Sequence, residues 1–458
     1  MTADPRRVVV RQEGRPDAGG THVIYWMQQS QRVHRNHALA TAVGIANDAG
    51  LPVTVVFVVD PSYPGANLRS FAFMFEGLRE TAAELDRRGI GFVLRRGDPA
   101  TVVGGMLGDA CALVCDTGYL SHQRTWRTRL ADAVRAHHPS LRFLEVDSDV
   151  VVPVRLAYPK AAYAAYAIRP ALMRQYGSFL SDGVIPEVRI RAAAAGPRDW
   201  TIPAGVDASV PESPVFQGGR TEALRRFERF LETAADRYPD ASDPGGELTS
   251  GMSPYLHFGQ IAAVELLDRI TAAHAAGTLR DAAFDDYLEQ LLVRRELAVN
   301  FVWHTAGYDK FETMTEPWAY RTMTEHADDP RPVLYSFADL EAGNTADPYY
   351  NAAMAEMRKS GFMHTTMRMY WAKKIIEWTP SFRTAYETIV ALDDRWFLDG
   401  RDANGYAGAA WCFGKHDRPW GERPVFGTLR YMNDRGLERK YDMRSYVARV
   451  ASIPDKRP

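Results

Sequence analysis

The segment from Met363 to Trp378 combines an arginine with two tryptophans at helical spacing. Trp371 and Trp378 are seven residues apart, which places them on one face of a helix, about 10.5 Å apart along its axis. This separation suits electron hopping between the indoles, whereas two tryptophans on one helix more often belong to a core. Arg368 lies three residues before Trp371 on nearly the same face, so it needs a buried carboxylate or a ligand anion as its partner.

Three further segments carry groups that suit an anionic ligand. Leu248 to Gln260 holds hydroxyl groups and a glycine before a predicted helix, so it either offers amides and hydroxyls to a phosphate or caps the helix. Leu398 to Tyr406 is a turn-rich loop with the carboxylates Asp399 and Asp402. Tyr287 to Phe301 places two arginines and two glutamates on one helix, and the flanking leucines indicate that one face is buried.

The C-terminal stretch is basic and interleaved with aromatic residues. From Lys415 onward there are 11 lysines and arginines against 6 aspartates and glutamates, a local charge of +5 in a chain whose net charge is −2. Stacking on bases and pairing with phosphates require this combination of residue types, although a solvated basic tail has the same composition.

The first third of the chain alternates short β-branched runs with helical patterns. The runs lie at residues 23–27, 53–59, 91–94, 112–115 and 142–146, and helices are predicted at 36–47 and 70–87. This alternation predicts a doubly wound parallel α/β sheet. Neither a G-x-G-x-x-G nor a Walker pattern occurs, so the usual kind of dinucleotide site is not expected in this domain.

After residue 218 the periodicity is helical. Helices are predicted at 221–237, 258–275, 283–304, 348–359, 363–378 and 382–392. We therefore expect a disordered tail at 1–20, an α/β domain at 21–150, a partly helical connector at 151–215 and an all-helical domain at 216–458.

Composition excludes several classes of protein. With 46% hydrophobic and 24% charged residues, the chain is neither disordered nor fibrous. Its three cysteines provide neither a disulfide framework nor a zinc pattern, which indicates a reducing compartment. No signal-peptide pattern or apolar run of membrane length is found, so we expect a cytoplasmic protein without a membrane partner. Seven of the ten tryptophans lie beyond residue 300.

Together these segments resemble the class II cyclobutane pyrimidine dimer photolyases of the photolyase/cryptochrome superfamily, over nearly the whole chain. The matching motifs are Tyr25-Trp26-Met27 with Gln31-Arg32-Val33, Arg-Arg-Glu-Leu-x-x-Asn-Phe from Arg294, Met367 to Lys374, Leu398 to Asp402, and Gly-x-His-Asp-x-x-Trp-x-Glu-Arg-Pro from Gly414. The resemblance implies an enzyme that binds FAD in its helical domain. After excitation by blue light, the reduced flavin would donate an electron to a pyrimidine dimer flipped out of DNA.

The resemblance also implies roles for individual residues. The FAD ligands would be Tyr238, Thr249, Ser250, Gly251, Met252, Ser253, Arg294, Arg368, Asp399, Gly400 and Arg401, with Arg368 paired to Asp399. The residues facing DNA would be Met369 and Trp411 at the dimer and Trp420, Arg423 and Arg430 along the strand. Trp371, Tyr350 and Trp378 would form the chain that photoreduces the flavin.

Four positions depart from the family pattern. Tyr350 stands where the family has the middle tryptophan of the electron chain, and tyrosine is harder to oxidise without losing its proton. Asp393 replaces an asparagine near flavin N5, where an acid can change flavin protonation. Gln290 replaces a glutamate that bonds the dimer carbonyls. Thr428 replaces a lysine, which weakens one phosphate contact at most.

The resemblance further allows a deazaflavin-type antenna chromophore in the α/β domain and implies a monomer. Two other interpretations stay open. A cryptochrome-like flavin photoreceptor with reduced or lost repair would explain the departures at Tyr350, Asp393 and Gln290. A plain scaffold whose aromatic residues only fill a core would give a colourless protein.

Overall fold

The N-terminal part of the chain forms a six-stranded sheet. The computed structural model describes residues 3–14, 19–181, 183–193 and 196–455. Its strands are β1 Val8–Gln12, β2 His22–Met27, β3 Val53–Val59, β4 Gly91–Arg96, β5 Ala110–Asp116 and β6 Arg142–Val146. They lie in the order β1-β6-β5-β2-β3-β4, and β2 to β6 run parallel. The predicted doubly wound parallel sheet is confirmed, since helical crossovers cover both faces of the buried strands.

The first strand differs from the expected disordered tail at residues 1–20. Val8 to Gln12 pair antiparallel with β6 at the sheet edge. The buried Arg7 guanidinium donates hydrogen bonds to the carbonyls of Asp147, Val150 and Val151, and so anchors the strand. The prediction is therefore wrong for this strand, while residues 1–2 and 15–18 of the expected tail lie outside the described residues.

Four helices pack on the sheet: α1 His37–Ala49, α2 Leu68–Arg88, α3 Pro99–Gly104 and α4 Ser121–His137. Asn36 and Asn67 cap α1 and α2, because their side chains accept hydrogen bonds from backbone amides of the first turn. The two helices predicted in this region are therefore present, with bounds shifted by one or two residues.

The segment between the domains is partly helical. It contains α5 Val154–Ala157, α6 Ala165–Gln175 and a 3₁₀ helix at Tyr176–Phe179. One face of α6 buries Ala165, Ile168 and Leu172, and the opposite face is open to solvent.

The rest of the described chain is helical. Its α-helices are α7 Arg220–Thr233, α8 Ser253–His257, α9 Ala263–Ala275, α10 Asp281–Leu288, α11 Arg295–His304, α12 Pro317–Glu325, α13 Phe337–Ala342, α14 Pro348–Ser360, α15 Thr365–Trp378, α16 Phe382–Trp396, α17 Ala403–Cys412, α18 Asp434–Lys440 and α19 Met443–Ala451. The helix predicted at 283–304 is interrupted by a π-helical turn at Glu289–Arg294. The helix predicted at 221–237 ends at Thr233 and is followed by a 3₁₀ helix at Ala235–Asp240, where Pro239 prevents continuation. The helix predicted at 258–275 begins only at Ala263, because Gly259 takes a left-handed conformation.

Buried polar contacts fix the two domains against each other. The Arg69 guanidinium of α2 donates to the carbonyls of Met357 and Trp396 at 3.2 and 3.0 Å. Arg295 Nη2 lies 2.7 Å from Asp149 Oδ2. The helical domain is therefore held over the carboxyl ends of the parallel strands, where ligands of such sheets bind.

Candidate active site

Arg368 of α15 is paired with a carboxylate. Its Nη2 lies 2.9 Å from both oxygens of Asp399, and its Nε donates to the carbonyl of Met363. The guanidinium carbon lies 4.0 Å from the centroid of the Phe397 ring. The structure thus supplies the partner that the sequence required, while Arg368 Nη1 makes no hydrogen bond within the described part of the chain.

The hydroxyl-rich loop from Thr249 to Ser253 lies ahead of α8, and Gly251 in it has a φ of 65°. Tyr287 donates from its hydroxyl to Ser250 Oγ at 3.2 Å. The half-buried hydroxyls of Thr249 and Ser253 have no hydrogen-bond partner among the described residues. This loop therefore presents free hydroxyl groups, as a polar ligand would require.

Aromatic rings connect this loop to Arg368. A side chain added at Gly251 would lie 3.6 Å from Phe216, whose ring centroid is 5.8 Å from that of Phe362. The Arg368 guanidinium carbon lies 5.5 Å from the Phe362 centroid. Met252 is buried in the same core. Residues more than 100 positions apart in sequence therefore line one region.

Tyr238 lies beside this region. Its ring centroid is 5.0 Å from that of Tyr287, and burial raises the pKa of Tyr238 to about 12, so the phenol stays protonated at neutral pH. His364, the N-cap of α15, is hydrogen-bonded through Nε2 to the carbonyl of Ala241, which holds α15 against the 3₁₀ helix that carries Tyr238.

Asp393 is a partly buried acid packed against two glycines. A Cβ at Gly405 would lie 2.8 Å from Asp393 Oδ2, and one at Gly400 would lie 2.4 Å from the Asp393 carbonyl oxygen. Burial, and then the neighbouring Asp394, raise the pKa of Asp393 well above its ordinary value. This shift favours the protonated form of Asp393, which can donate a hydrogen bond as an asparagine would.

Three predicted side chains lie elsewhere. Arg294 is exposed and paired with Glu289 at 2.9 Å. The Arg401 guanidinium donates to the carbonyl of Phe397, and its side chain lines a cavity between the domains. Gln290 is exposed and has no hydrogen-bond partner among the described residues. Their roles in binding FAD or the dimer stay predictions.

The three residues of the predicted electron chain are brought together. Trp371 is buried and donates from Nε1 to Met354 Sδ at 3.0 Å, one helical turn from Tyr350 on α14. The ring centroids of Tyr350 and Trp378 are 5.2 Å apart, edge to face. Tyr350 donates from its hydroxyl to the carbonyl of Leu340 at 3.1 Å, so no carboxylate accepts its proton.

Sequence reasoning missed one ring beside this chain. The Tyr335 centroid is 5.2 Å from that of Trp378, and its hydroxyl accepts a hydrogen bond from the amide of Ala346. Tyr335 lies in a loop before α13, far from the motifs that matched the family, so only tertiary packing identifies it.

Trp411, Arg430 and Trp420 form an aromatic–arginine stack. The Arg430 guanidinium carbon lies 5.0 Å from the Trp411 ring centroid and 4.3 Å from that of Trp420. Asp417 orients both ends, since it lies 3.3 Å from Arg430 Nε and accepts from Trp420 Nε1 at 3.2 Å. An indole that is 37% exposed next to a guanidinium is suited to stacking on a base.

The loop that carries Trp420 is closed by backbone bonds. Arg423 and Gly427 exchange two amide-to-carbonyl bonds, and the exposed Arg423 lies 5.2 Å from the ring centroid of Tyr431. Thr428 accepts through its carbonyl from the amide of Trp420 at 2.8 Å. Met369 is partly exposed on α15. The five predicted DNA-facing residues therefore lie on helices and on a braced loop.

A buried lysine lies beneath this stack. Lys373 donates from Nζ to the carbonyl of Cys412 at 2.5 Å and lies 5.7 Å from the ring centroid of Trp411. It has no carboxylate partner among the described residues, and burial lowers the pKa of Lys373 to about 8. Its ammonium therefore destabilises the folded state at neutral pH.

We expect Lys373→Met to increase the free energy of unfolding by about 2 kcal/mol at pH 7, because it removes a buried charge at the cost of one hydrogen bond. Below pH 8 Lys373 is charged in both the folded and the unfolded state, so the full cost of burying its charge lowers the free energy of unfolding of the wild type. The pKa of lysine in the unfolded chain is about 10.5. As the pH rises from 8 toward this value, Lys373 loses its proton in the folded state first, and the stability gained by Lys373→Met becomes smaller.

Urea unfolding between pH 7 and pH 10 measures this difference. Lys374→Met is the control, because Lys374 is also buried but is paired with Glu377 at 2.9 Å, and its loss should destabilise the fold. If the stability difference between Lys373→Met and the wild type does not change with pH, Lys373 is not a buried charge with a lowered pKa.

A cavity of about 1050 Å³, including its open mouth, lies between the domains at the carboxyl ends of β2 and β3. Trp26, Gln28, Asp60 and Tyr63 line it from the sheet side. Both amide atoms of Gln28 are buried without a hydrogen-bond partner. Such a polar group requires a partner, which a bound molecule would provide.

The helical domain contributes charges to the same cavity. His257 Nδ1 lies 3.0 Å from Asp402 Oδ2. Although burial alone would raise it, the hydrogen bond and charge of His257 lower the pKa of Asp402 to about 2. A carboxylate, an imidazole and the Arg295 guanidinium therefore lie along one wall, which suits a polar aromatic ligand.

Comparison with known proteins identifies the family. Residues 23–180 match the family model described as DNA photolyase. The chain is 41% identical over 452 residues to a deoxyribodipyrimidine photo-lyase of Methanothermobacter thermautotrophicus, covering 96% of this chain and 97% of that protein. It is 36% identical to the deoxyribodipyrimidine photo-lyase of Potorous tridactylus, with coverage of 93% and 81%. The chain belongs to the deoxyribodipyrimidine photo-lyase family.

Solved structures agree on the fold. A bacterial class III photolyase from Agrobacterium tumefaciens superposes with a TM-score of 0.73 at 18% identity, covering 94% of this chain and 86% of that one. Membership of the photolyase family implies an enzyme that repairs DNA with light and carries FAD as its cofactor. In the described part of the chain, no helix is long and apolar enough to cross a membrane.

The residues around Arg368 fit FAD. The free hydroxyls of Thr249 and Ser253 and the unpaired nitrogen of Arg368 are donors suited to a diphosphate and a polyol. The phenol of Tyr238 and the carboxyl of Asp393, whose pKa values are both raised, offer further hydrogen-bonding groups. The chemistry of these groups therefore fits the cofactor that the photolyase family uses.

Proposed function

We propose that the chain splits cyclobutane pyrimidine dimers in DNA by the light-driven mechanism of class II photolyases. FAD would be held by the loop from Thr249 to Ser253, by Tyr238 and by the pair of Arg368 with Asp399. When bound, reduced and excited, it supplies the single electron that the reaction needs. One electron enters the dimer, two carbon–carbon bonds of its cyclobutane ring break, and the electron returns, so no net oxidation occurs.

One helix carries the observation that supports this function most directly. On α15, Arg368 reaches Asp399, Lys373 lies under Trp411, and Trp371 packs on α14. The residues proposed as cofactor ligand, substrate surface and electron relay thus lie within two turns of one rigid element. Such spacing serves electron transfer between a bound cofactor and a base stacked on Trp411.

The remaining residues position the substrate rather than react with it. The indoles of Trp411 and Trp420 would stack on bases, each contributing roughly 1–3 kcal/mol of binding free energy. Arg430 would pair with phosphate, and Met369 would contact the flipped dimer. Because bond cleavage follows electron transfer, no general acid or base is required, and Gln290 can still donate a hydrogen bond to a dimer carbonyl.

Repair is tested with chemically reduced protein and an oligonucleotide that contains one thymine dimer. Blue light should restore the ultraviolet absorbance of thymine, while a dark sample should not change. An oligonucleotide with a (6-4) photoproduct is the matched substrate control and should stay unrepaired. No recovery with the dimer would overturn the proposal and favour a light sensor that has kept its flavin.

We also propose that the interdomain cavity binds a deazaflavin-type antenna chromophore. Its volume accommodates a tricyclic ring, its aromatic lining can stack on one, and Gln28 offers an unused amide donor and acceptor. A second absorbing molecule there would raise the number of photons that lead to repair.

We expect Gln28→Leu to weaken deazaflavin binding about tenfold, because the two amide hydrogen bonds are lost. Fluorescence titration of the purified protein with the deazaflavin measures the affinity, and FAD content is the internal control, since Gln28 is outside the Arg368 site. Wild-type protein without affinity for the deazaflavin would contradict the proposal.

A further inference from the structure

The connector helix α6 presents a row of exposed side chains. Tyr166, Arg169 and Met173 are spaced by three and four residues on one helix face, and Tyr163 lies two residues before the first residue of the helix. Tyr166 is 65% exposed, while Tyr163 and Met173 are 40% and 41% exposed. We call these four residues the connector stripe. Its two phenol rings are more solvent-accessible than most aromatic side chains, so the stripe is a candidate contact surface.

Direct bonds join the connector stripe to the aromatic–arginine stack. Tyr163 donates from its hydroxyl to the carbonyl of Asp417 at 3.2 Å, and the Tyr163 carbonyl lies 2.9 Å from His416 Nδ1. Asp417 is the residue that orients Arg430 and Trp420. The exposed rings of Tyr163 and Tyr166 therefore continue the surface that carries Trp411 and Trp420.

The other side of the connector stripe meets the π-helical turn. Arg169 forms two hydrogen bonds with Glu289, at 2.9 and 2.8 Å, and Glu289 also binds Arg294. One carboxylate thus lies between two guanidinium groups, which leaves a net positive charge. Gln290, the residue predicted at the dimer, follows Glu289 in this turn. The connector stripe therefore borders both elements that the proposed function places around the flipped base.

We propose that the connector stripe binds the nucleotides that flank the dimer, with Tyr166 stacking on a base and Arg169 and Arg294 facing the phosphates. Exposed aromatic rings between guanidinium groups are the combination that single-stranded nucleic acid requires. Continuity with the Trp420 surface and the local positive charge favour DNA over a protein partner. This inference rests on the proposed function, because it extends the same DNA surface onto the connector.

Tyr166→Ala tests the proposal, since the ring is exposed and makes no hydrogen bond with the described residues. We expect binding of a dimer in a 16-nucleotide strand to weaken about five- to tenfold, in line with the loss of one stacked base. Binding of a two-nucleotide strand that consists of the dimer alone should not change, because it lacks the flanking bases. Tyr166→Phe keeps the ring and should retain wild-type affinity on both strands.

Phe337→Ala is the matched control. Phe337 is 46% exposed on α13, outside the proposed DNA surface, so its removal should leave both affinities unchanged. A benzophenone side chain placed at position 166 should crosslink under ultraviolet light to a nucleotide beside the dimer. Thermal unfolding of each variant checks that the fold is intact.

The outcomes separate this inference from the proposed function. Equal affinity of Tyr166→Ala and wild type for the long strand, or equal losses on both strands, would overturn the role of the connector stripe. The long strand without a dimer should also lose affinity in Tyr166→Ala, so this readout persists even if the wild-type protein repairs nothing. Failure of repair with intact flank binding would therefore overturn only the proposed function.

Discussion

Replacement of Trp371 by phenylalanine is expected to slow the light-driven reduction of bound oxidised FAD about 100-fold, equivalent to about 2.7 kcal/mol in the barrier. Trp371 packs on Phe397, with ring centroids 6.3 Å apart, and the Phe397 ring lies against the Arg368 guanidinium. Of the three residues in the proposed relay, Trp371 is thus the indole that lies next to the proposed flavin site. Phenylalanine preserves most of the buried volume but is far harder to oxidise.

Photoreduction is followed by the loss of the oxidised-flavin absorbance under blue light with an external reductant. Trp396→Phe is the control, because Trp396 is also a buried indole but bonds to Glu341 outside the relay. The repair rate of the Trp371→Phe variant after chemical reduction should differ from that of the wild type by less than about twofold, since chemical reduction of the flavin does not need the proposed relay. Unaltered photoreduction would show that electrons do not pass through Trp371.

Tyr350→Trp belongs to the same test. The hydroxyl of Tyr350 donates only to a backbone carbonyl, which is a poor proton acceptor, so oxidation of this residue is costly. We expect the tryptophan variant to photoreduce faster than the wild type. An unchanged rate would mean that Tyr350 already relays electrons efficiently or that the path avoids it.

Arg368→Leu should lower the affinity for FAD at least about 100-fold and destabilise the protein by about 3–5 kcal/mol, because it leaves the carboxylate of Asp399 buried without its partner. Both side chains are mostly shielded from solvent, so water cannot replace the lost contact. The variant should therefore be purified without its yellow colour.

Flavin fluorescence titration of the apoprotein gives the affinity, and thermal unfolding gives the stability. Arg395→Leu is the control, since Arg395 pairs with Asp207 and Glu341 near the surface, where each such pair contributes about 0–1 kcal/mol. The double variant Arg368→Leu/Asp399→Asn should recover part of the stability but not the flavin. Wild-type flavin affinity in Arg368→Leu would exclude this pair as the cofactor clamp.

The elements of the fold were largely predictable because their signals are local. Short apolar runs predicted strands β2 to β6, and Asn36 and Asn67, which favour helix starts, lie at the N-termini of α1 and α2.

The wrong prediction for residues 8–12 also has a physical cause. Strand β1 forms because a distant partner, β6, and the buried Arg7 supply its bonds, and neither is visible in the sequence of residues 8–12.

The residues of the candidate site could be predicted only where they lie in a motif that resembles the family. Arg368 required a partner by helix geometry alone, but its choice of Asp399 came from the resemblance and was then seen in the structure. Lys373 and Asp417 lie within motifs that matched the family, and Tyr335 lies outside them, but the sequence assigned no individual role to any of the three residues. Their importance depends on what lies against them.

The sequence by itself determined the fold class and the superfamily and predicted a set of groups for binding a flavin and a nucleic acid, because these follow from local periodicity and motif identity. Only the tertiary structure decided that Arg401 serves the interdomain cavity, that Lys373 is buried without a carboxylate, and that the connector joins the Trp420 surface. Burial, pKa and surface continuity arise from contacts between residues tens to hundreds of positions apart. No local pattern encodes these contacts.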